Sequence, residues 1–160
     1  MENPPQNIGP HMVVVTRAAL ALLLLATIAG QLAVVITAQS MASAFPEFAY
    51  LQVPLVGAAI LFGICVEVIL MITSILVGYI RDGRIFGASS LKLVDIMADT
   101  LAIATVTVGG TLFLIPGPPA LGLLLIGGVL VGAALTMVLL VLRSLLRKAS
   151  YMRAELDGVV

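Results

Sequence analysis

The sequence has few charged residues and almost none of the residues that form disulfides or bind transition metals. Asp, Glu, Lys and Arg make up 10% of its 160 residues, whereas an average globular domain has about 25%. One cysteine excludes a disulfide framework within the chain, and one histidine excludes a multi-histidine metal site. No metal and no cofactor are therefore predicted. Eight basic residues balance eight acidic ones, so direct nucleic-acid binding is not expected either.

Long apolar segments dominate the chain instead. Hydrophobic residues make up 61% of it, and the mean hydropathy is +1.22. Such a composition argues against a soluble enzyme and against a disordered chain. About 20 apolar residues cross a bilayer as a helix, and four segments reach that length: residues 18–40, 55–79, 94–115 and 120–142. Because these runs lack the alternation of barrel strands, the predicted fold class is all-α, a four-transmembrane-helix antiparallel bundle.

The positions of the basic residues give the predicted orientation. With four spans, all eight lie on one side of the membrane, and the positive-inside rule places both termini in the cytoplasm. The predicted regions are a mobile tail over residues 1–16, a transmembrane domain over 17–143 and a cytoplasmic amphipathic helical extension over 144–160. Ala42-Ser43-Ala44 resembles a signal cleavage site, but its apolar stretch is longer than a signal-peptide core, so we expect the first span to be retained.

Basic side chains near the cytoplasmic surface are predicted to bind anionic lipid headgroups or a cytosolic regulator. Each cation near an anionic membrane surface contributes about 1 kcal/mol of binding. Leucines at helical spacing separate the basic residues of the C-terminal segment, which is typical of an amphipathic helix. The candidates are Arg81, Arg84, Lys92, Arg143, Arg147 and Lys148.

Glu67 lies near the middle of the second predicted span. A carboxylate at this depth is costly, and intramembrane acids are common functional residues. No Lys or Arg lies inside any predicted span to neutralise it. Two interpretations stay open: a proton or cation coupling site, or a neutral carboxylic acid hydrogen-bonded to Gln31 or to a threonine such as Thr105.

Asp95 and Asp99 lie one helical turn apart near the cytoplasmic end of the third span. Two carboxylates on one face could form a cation site. The favoured interpretation is ion pairing with Arg81, Arg84 or Lys92, since long basic side chains reach along the membrane surface and buried charges are normally paired.

Each predicted span also has a stripe of small and polar residues that should face its neighbours, because small residues allow helices to approach closely in lipid. Gly63 belongs to the stripe of the second span, while Asp95, Asp99 and Val106 belong to that of the third. Gly128 and Gly132 form a GxxxG pair in the fourth. Close packing within the chain is favoured over a homo-oligomer interface for this pair, since short links already hold the helices together.

Short motifs occur in two loops and in the tail: Ile80-Arg81-Asp82-Gly83-Arg84-Ile85-Phe86-Gly87 with Ser90-Leu91-Lys92 and Asp95-Ile96, Phe45-Pro46-Glu47, and Leu145-Leu146-Arg147-Lys148-Ala149 with Arg153-Ala154-Glu155-Leu156. They resemble bacterial, actinobacterial-like membrane proteins of the domain-of-unknown-function 2975 family. The resemblance implies a four-helix protein of the bacterial plasma membrane with no assigned activity and no catalytic residues. It also implies a regulatory pairing with a small helix-turn-helix protein.

These features favour a small regulatory or structural membrane protein with a cytosolic or membrane partner. The alternative is a small proton- or cation-coupled transporter that uses Glu67. Enzymatic activity is not expected, because the sequence lacks a clustered nucleophile and base, a metal-binding set and a phosphate-binding glycine loop.

Overall fold

The computed structural model describes residues 10–81, 88–115 and 119–157, and over these ranges the chain is all-α. Four long helices follow one another: α1 (Pro10–Ala44), α2 (Gln52–Arg81), α3 (Ala88–Thr111) and α4 (Pro119–Asp157). A short 3-10 helix, Pro46–Leu51, joins α1 to α2. The predicted all-α class is therefore confirmed. Residues 82–87, between α2 and α3, and residues 116–118, between α3 and α4, lie outside the described residues.

Three segments of the described chain are long and apolar enough to cross a membrane: His11–Ala44, Pro46–Arg81 and Gly122–Met152. They contain α1, α2 and most of α4. The remaining helix, α3, carries Lys92, Asp95 and Asp99, and it is not among the three. Three of the four predicted spans thus correspond to helices with the length and composition of a membrane span.

The first helix begins earlier than the sequence indicated. Residues 10–16 were assigned to a mobile tail, but α1 starts at Pro10. A proline fits the first turn of a helix because its missing N–H would have no intrahelical acceptor there. Val13 is buried, and Met12, Val13 and Thr16 line a small cavity together with residues of α2. Packing against α2 therefore extends the helix beyond the predicted span.

The turn between α1 and α2 follows from one proline. Pro46 disfavours the helical conformation at the residue before it, and Phe45 accordingly has φ −130° and ψ 76°. The N–H of Phe45 still donates to the carbonyl of Met41 at 2.9 Å, and the N–H of Phe48 donates to Phe45 at 3.1 Å. The chain thus reverses through the 3-10 helix directly into α2.

The helices pack in the order in which they occur. Within the described residues, α1 contacts α2, α2 contacts α3 and α3 contacts α4, and no other pair of α-helices is in contact. Most of the buried side chains belong to the two central helices, including Cys65 and Ile72 of α2 and Val94 and Ala98 of α3. In α1 only Val13 is buried, and α4 has no buried residue among those whose side chains are described. The two outer helices therefore expose their apolar side chains to the surroundings.

Candidate functional site

Glu67 of α2 is hydrogen-bonded to Gln31 of α1. The Gln31 Nε2 atom donates to Glu67 Oε1 at 3.0 Å, and both side chains are partly buried. Ala49 in the 3-10 helix is separated from Gln31 and from Glu67 by the same number of residues, so the reversal of the chain brings the two to the same level. Gln31 is one of the two partners that the sequence allowed. The other, Thr105, donates its hydroxyl to the Leu101 carbonyl within α3.

Gly63 provides the space that Gln31 occupies. A Cβ atom at position 63 would lie only 2.8 Å from Gln31 Cδ and 2.9 Å from Cγ, closer than carbon atoms approach without repulsion. The Gln31 side chain thus lies across the backbone of α2 one turn before Glu67. A side chain at position 63 would therefore require the Gln31 side chain to move. The sequence assigned Gly63 to helix packing, and the structure adds the partner.

We call this contact between α1 and α2 the Gln31–Glu67 seam. Among the described residues, the Glu67 carboxyl group has one hydrogen-bond partner, the uncharged Gln31 amide. An amide N–H donates to a carboxyl oxygen whether or not the acid is protonated. Among the described residues, no Lys or Arg forms an ion pair with Glu67. The arrangement therefore holds one carboxyl between two apolar helices through a hydrogen bond to an uncharged side chain.

Asp95 of α3 is paired with Arg143 of α4, which corrects the sequence interpretation. Arg143 Nη2 donates to Asp95 Oδ2 at 2.9 Å, and Nε forms an ion pair with Oδ1. Arg81 and Lys92 were the expected partners, together with Arg84, which lies outside the described residues. Pro119 at the start of α4 is equally far along the chain from Asp95 and from Arg143. The reversal thus places the two at the same level, and Arg143 is held within the protein.

Asp99 does not join Asp95 in a common site. Its side chain is exposed, and it makes no hydrogen bond or ion pair with any residue in the described ranges. No group of three or more His, Cys, Asp or Glu side chains arranged to hold a metal ion occurs in the same ranges. The two aspartates therefore lie in different surroundings, one in a salt bridge between helices and one on the outside of α3.

Gly128 and Gly132 face α3 of the same chain. A Cβ at Gly132 would lie 3.1 Å from Cγ2 and 3.2 Å from Cβ of Thr105, and a Cβ at Gly128 would lie 3.7 Å from Cγ1 of Val108. Thr105 thus rests against the bare backbone of α4. The structure places this GxxxG pair in a seam within the chain, the interpretation that the sequence favoured over a homo-oligomer interface.

The face of α3 that packs differs from the predicted stripe. Asp99 and Val106 were expected to face the neighbouring helices, but both are exposed. The buried positions of α3 include Ser90, Val94 and Ala98. Val94 precedes Asp95 by one residue, which is about 100° around the helix. The packed face therefore keeps Asp95, which binds Arg143, and leaves out Asp99 and Val106, because small and apolar side chains allow the closest approach in lipid.

Most of the basic residues predicted to bind lipid or a partner have exposed side chains. Arg81, Lys92, Arg147 and Lys148 are exposed, whereas Arg143 is about one-third exposed in its salt bridge. These cations and Arg17 mark one end of the structure, which we call the basic end. Arg17 itself reaches across α2, with its Nη2 atom 2.8 Å from where a Cβ at Gly78 would lie.

Comparison with known proteins gives one match. Residues 36–160 match the family described as "Protein of unknown function (DUF2975)". No curated protein and no solved structure matches the chain. The matched range includes Glu67, Asp95 and Arg143, while Gln31 lies before it.

Proposed function

We propose a regulatory or structural role at the membrane for this chain, which belongs to the DUF2975 family of proteins of unknown function. In this role the protein crosses a bacterial plasma membrane four times, as an antiparallel bundle, and offers a basic helix to a cytosolic partner. The observation that carries the proposal is the continuity of α4, which runs from Pro119 to Asp157 without a break.

The length of α4 supports a segment outside the bilayer. Its 39 residues span about 58 Å at 1.5 Å per residue, roughly twice the ~30 Å hydrocarbon core. The part beyond Arg143 carries the exposed cations Arg147 and Lys148. Because Arg143 also binds Asp95, a partner that pulls on this extension would act on the seam between α3 and α4. The extension is thus suited to pass a signal between a cytosolic protein and the membrane domain.

Four crossings are supported by the surroundings of α3. This helix of 24 residues contacts both α2 and α4, and at about 36 Å it is long enough to span the core. If its neighbours cross the membrane, α3 crosses with them. The basic end then lies on one side, which the positive-inside rule identifies as the cytoplasm.

Labelling of single cysteines tests this topology. Cys65 is the one native cysteine, so Cys65→Ala provides the background, and Glu47→Cys and Tyr151→Cys provide exposed sites near opposite ends. In intact cells, a membrane-impermeant maleimide should label position 47, and position 151 only after lysis. Labelling of position 151 in intact cells would contradict the topology.

Photo-crosslinking in cells tests the partner. A crosslinking amino acid at Tyr151, which is exposed, should capture one cytosolic protein. The double charge reversal Arg147→Glu with Lys148→Glu should lower the yield at least tenfold, while Arg147→Lys with Lys148→Arg should keep it. A crosslinker at Leu124, which is exposed near the other end of α4, is the matched control. Equal yields for the reversed and the conservative variants would refute the proposal.

A second candidate function rests on the Gln31–Glu67 hydrogen bond. A single carboxyl fixed inside the membrane is the minimum that proton-coupled transport needs. Protein in liposomes should then show proton flux that Glu67→Gln abolishes and that Glu47→Gln, which changes an exposed carboxyl in the loop, leaves intact. Equal flux for the two variants would exclude this function.

A further inference from the structure

An apolar groove lies between α1 and α2 at the end of the hairpin that is remote from the basic end. It has a volume of about 440 Å³. Ala38 and Met41 of α1 form one wall, Leu55 of α2 forms the other, and Phe45 and Phe48 close the end beside the 3-10 helix. This volume lies in the range of small-molecule sites. Gln52 is the one polar residue of the lining, so the groove suits an apolar occupant.

The groove lies next to a place where α1 and α2 are in direct contact. Gln31 and Gly63 are in direct contact at the seam, and Val34, one turn after Gln31, is the deepest α1 residue that lines the groove. The groove therefore lies between the Gln31–Gly63 contact and the 3-10 helix.

The dimensions match one leaflet of a bilayer. From Val34 to Phe45 the chain rises eleven residues, or about 16 Å, which is about half of the ~30 Å hydrocarbon core. A groove of about 440 Å³ with this length and with an almost wholly apolar lining suits one hydrocarbon chain.

We propose that this groove binds one acyl chain of a phospholipid from the leaflet opposite the basic end. The headgroup would lie beside the 3-10 helix, where Glu47 is exposed and is the one charged residue between Ala44 and Leu55. A carboxylate favours a headgroup with an amine over one with net negative charge. The occupant is therefore a zwitterionic, amine-bearing phospholipid such as phosphatidylethanolamine.

Lipid retained by the purified full-length protein tests the proposal. Ala42 lines the groove, so Ala42→Phe fills it, and Ala134→Phe makes the same change on the exposed surface of α4. After delipidation in mild detergent, native mass spectrometry and phosphorus analysis should find one phospholipid on the wild type and on Ala134→Phe. Ala42→Phe should retain at least fivefold less. Equal retention by the two variants, a wild type free of lipid, or a bound fatty acid without phosphorus would overturn the proposal.

A fluorescence measurement keeps the test valid if Ala42→Phe does not fold. The chain has no tryptophan, so Met41→Trp places a single reporter in the groove, and Leu124→Trp places one on an exposed surface of α4. In phosphatidylcholine vesicles with 10 mol% of phosphatidylethanolamine brominated on its acyl chains, the groove reporter should be quenched at least threefold more strongly than with the same fraction of brominated phosphatidylcholine. The Leu124→Trp reporter should be quenched equally by the two lipids, and equal quenching of the groove reporter by both would contradict a specific site.

Discussion

The α1–α2 hairpin and the α3–α4 hairpin are held together by different polar contacts, although in both a glycine leaves space for a side chain of the other helix. In each, a glycine of the second helix makes room for a polar side chain of the first: Gly63 for Gln31, and Gly132 for Thr105. In the α1–α2 hairpin that side chain also forms a hydrogen bond to Glu67 in the other helix. In the α3–α4 hairpin the Thr105 hydroxyl stays within α3, and the polar link is the Asp95–Arg143 salt bridge toward the basic end.

This difference follows the cost of charge at each depth. A hydrogen bond from an amide can satisfy a carboxyl group in the middle of a span, whereas an ion pair is tolerated near the end of a span, where water reaches it. The Asp95 and Arg143 side chains are 34% and 38% exposed, which agrees with such a position. The α1–α2 seam is therefore polar at its centre, and the α3–α4 seam is polar at its edge.

The largest effect is expected at the steric contact of the second hairpin. Gly132→Ala should lower the free energy of unfolding by about 1–3 kcal/mol, because Thr105 is β-branched and cannot rotate freely away. Thr105→Ala in the same chain should recover most of that loss. Unfolding by SDS titration in micelles measures both. The control is Gly127→Ala, whose added Cβ meets nothing within 4 Å, and a loss as large as that of Gly132→Ala would contradict the steric explanation.

The salt bridge should come next. Arg143→Ala leaves Asp95 without its partner, and for a pair that is about one-third exposed we expect a loss of about 1–2 kcal/mol, between the values for surface and buried pairs. A double-mutant cycle with Asp95→Ala isolates the pair energy, and added salt should reduce it. Arg81→Ala is the matched control, since Arg81 is exposed. A coupling energy near zero would show that the pair does not stabilise this seam.

Replacement of Glu67 should have a smaller effect that depends on the substituent. Glu67→Leu removes the acceptor for Gln31 and should cost about 1 kcal/mol, as for other hydrogen bonds between membrane helices. Glu67→Gln keeps an acceptor oxygen and should change stability by less than half of that amount. The same SDS titration compares the two. If Glu67→Gln proves as destabilising as Glu67→Leu, the negative charge itself is needed at this position.

The smallest effect is expected at Gly78. An added Cβ would meet only the end of the flexible Arg17 side chain, which can move aside toward water. Gly78→Ala should therefore change the free energy of unfolding by less than about 0.5 kcal/mol. A loss comparable to that of Gly132→Ala would show that the Arg17 side chain is rigidly held. The flexibility of the neighbouring side chain would then not explain why the two glycines differ in their tolerance of an added methyl group.

Several parts of the candidate site could be foreseen from the sequence. Gln31 as one of the candidate partners of Glu67 and the packing role of Gly63 follow from helical spacing and from the need to satisfy polar groups in lipid. The Asp95–Arg143 pair could also have been found, because the two residues are equally distant from Pro119. Proximity along the membrane surface pointed instead to Arg81, Arg84 and Lys92. No sequence pattern predicted the groove. Its only signals are small residues in α1 and aromatic residues in the turn between α1 and α2.

The sequence by itself determined that the protein is all-α and where its apolar helices lie, because hydropathy and proline positions act locally along the chain. Only the tertiary structure decided which face of α3 packs, that Asp95 and Asp99 separate, that α1 extends back to Pro10, and that a groove opens above the Gln31–Glu67 seam. These features depend on the rotation of each helix about its axis and on its spacing from the next. Both are set by the fit of side chains between helices, which no single helix contains.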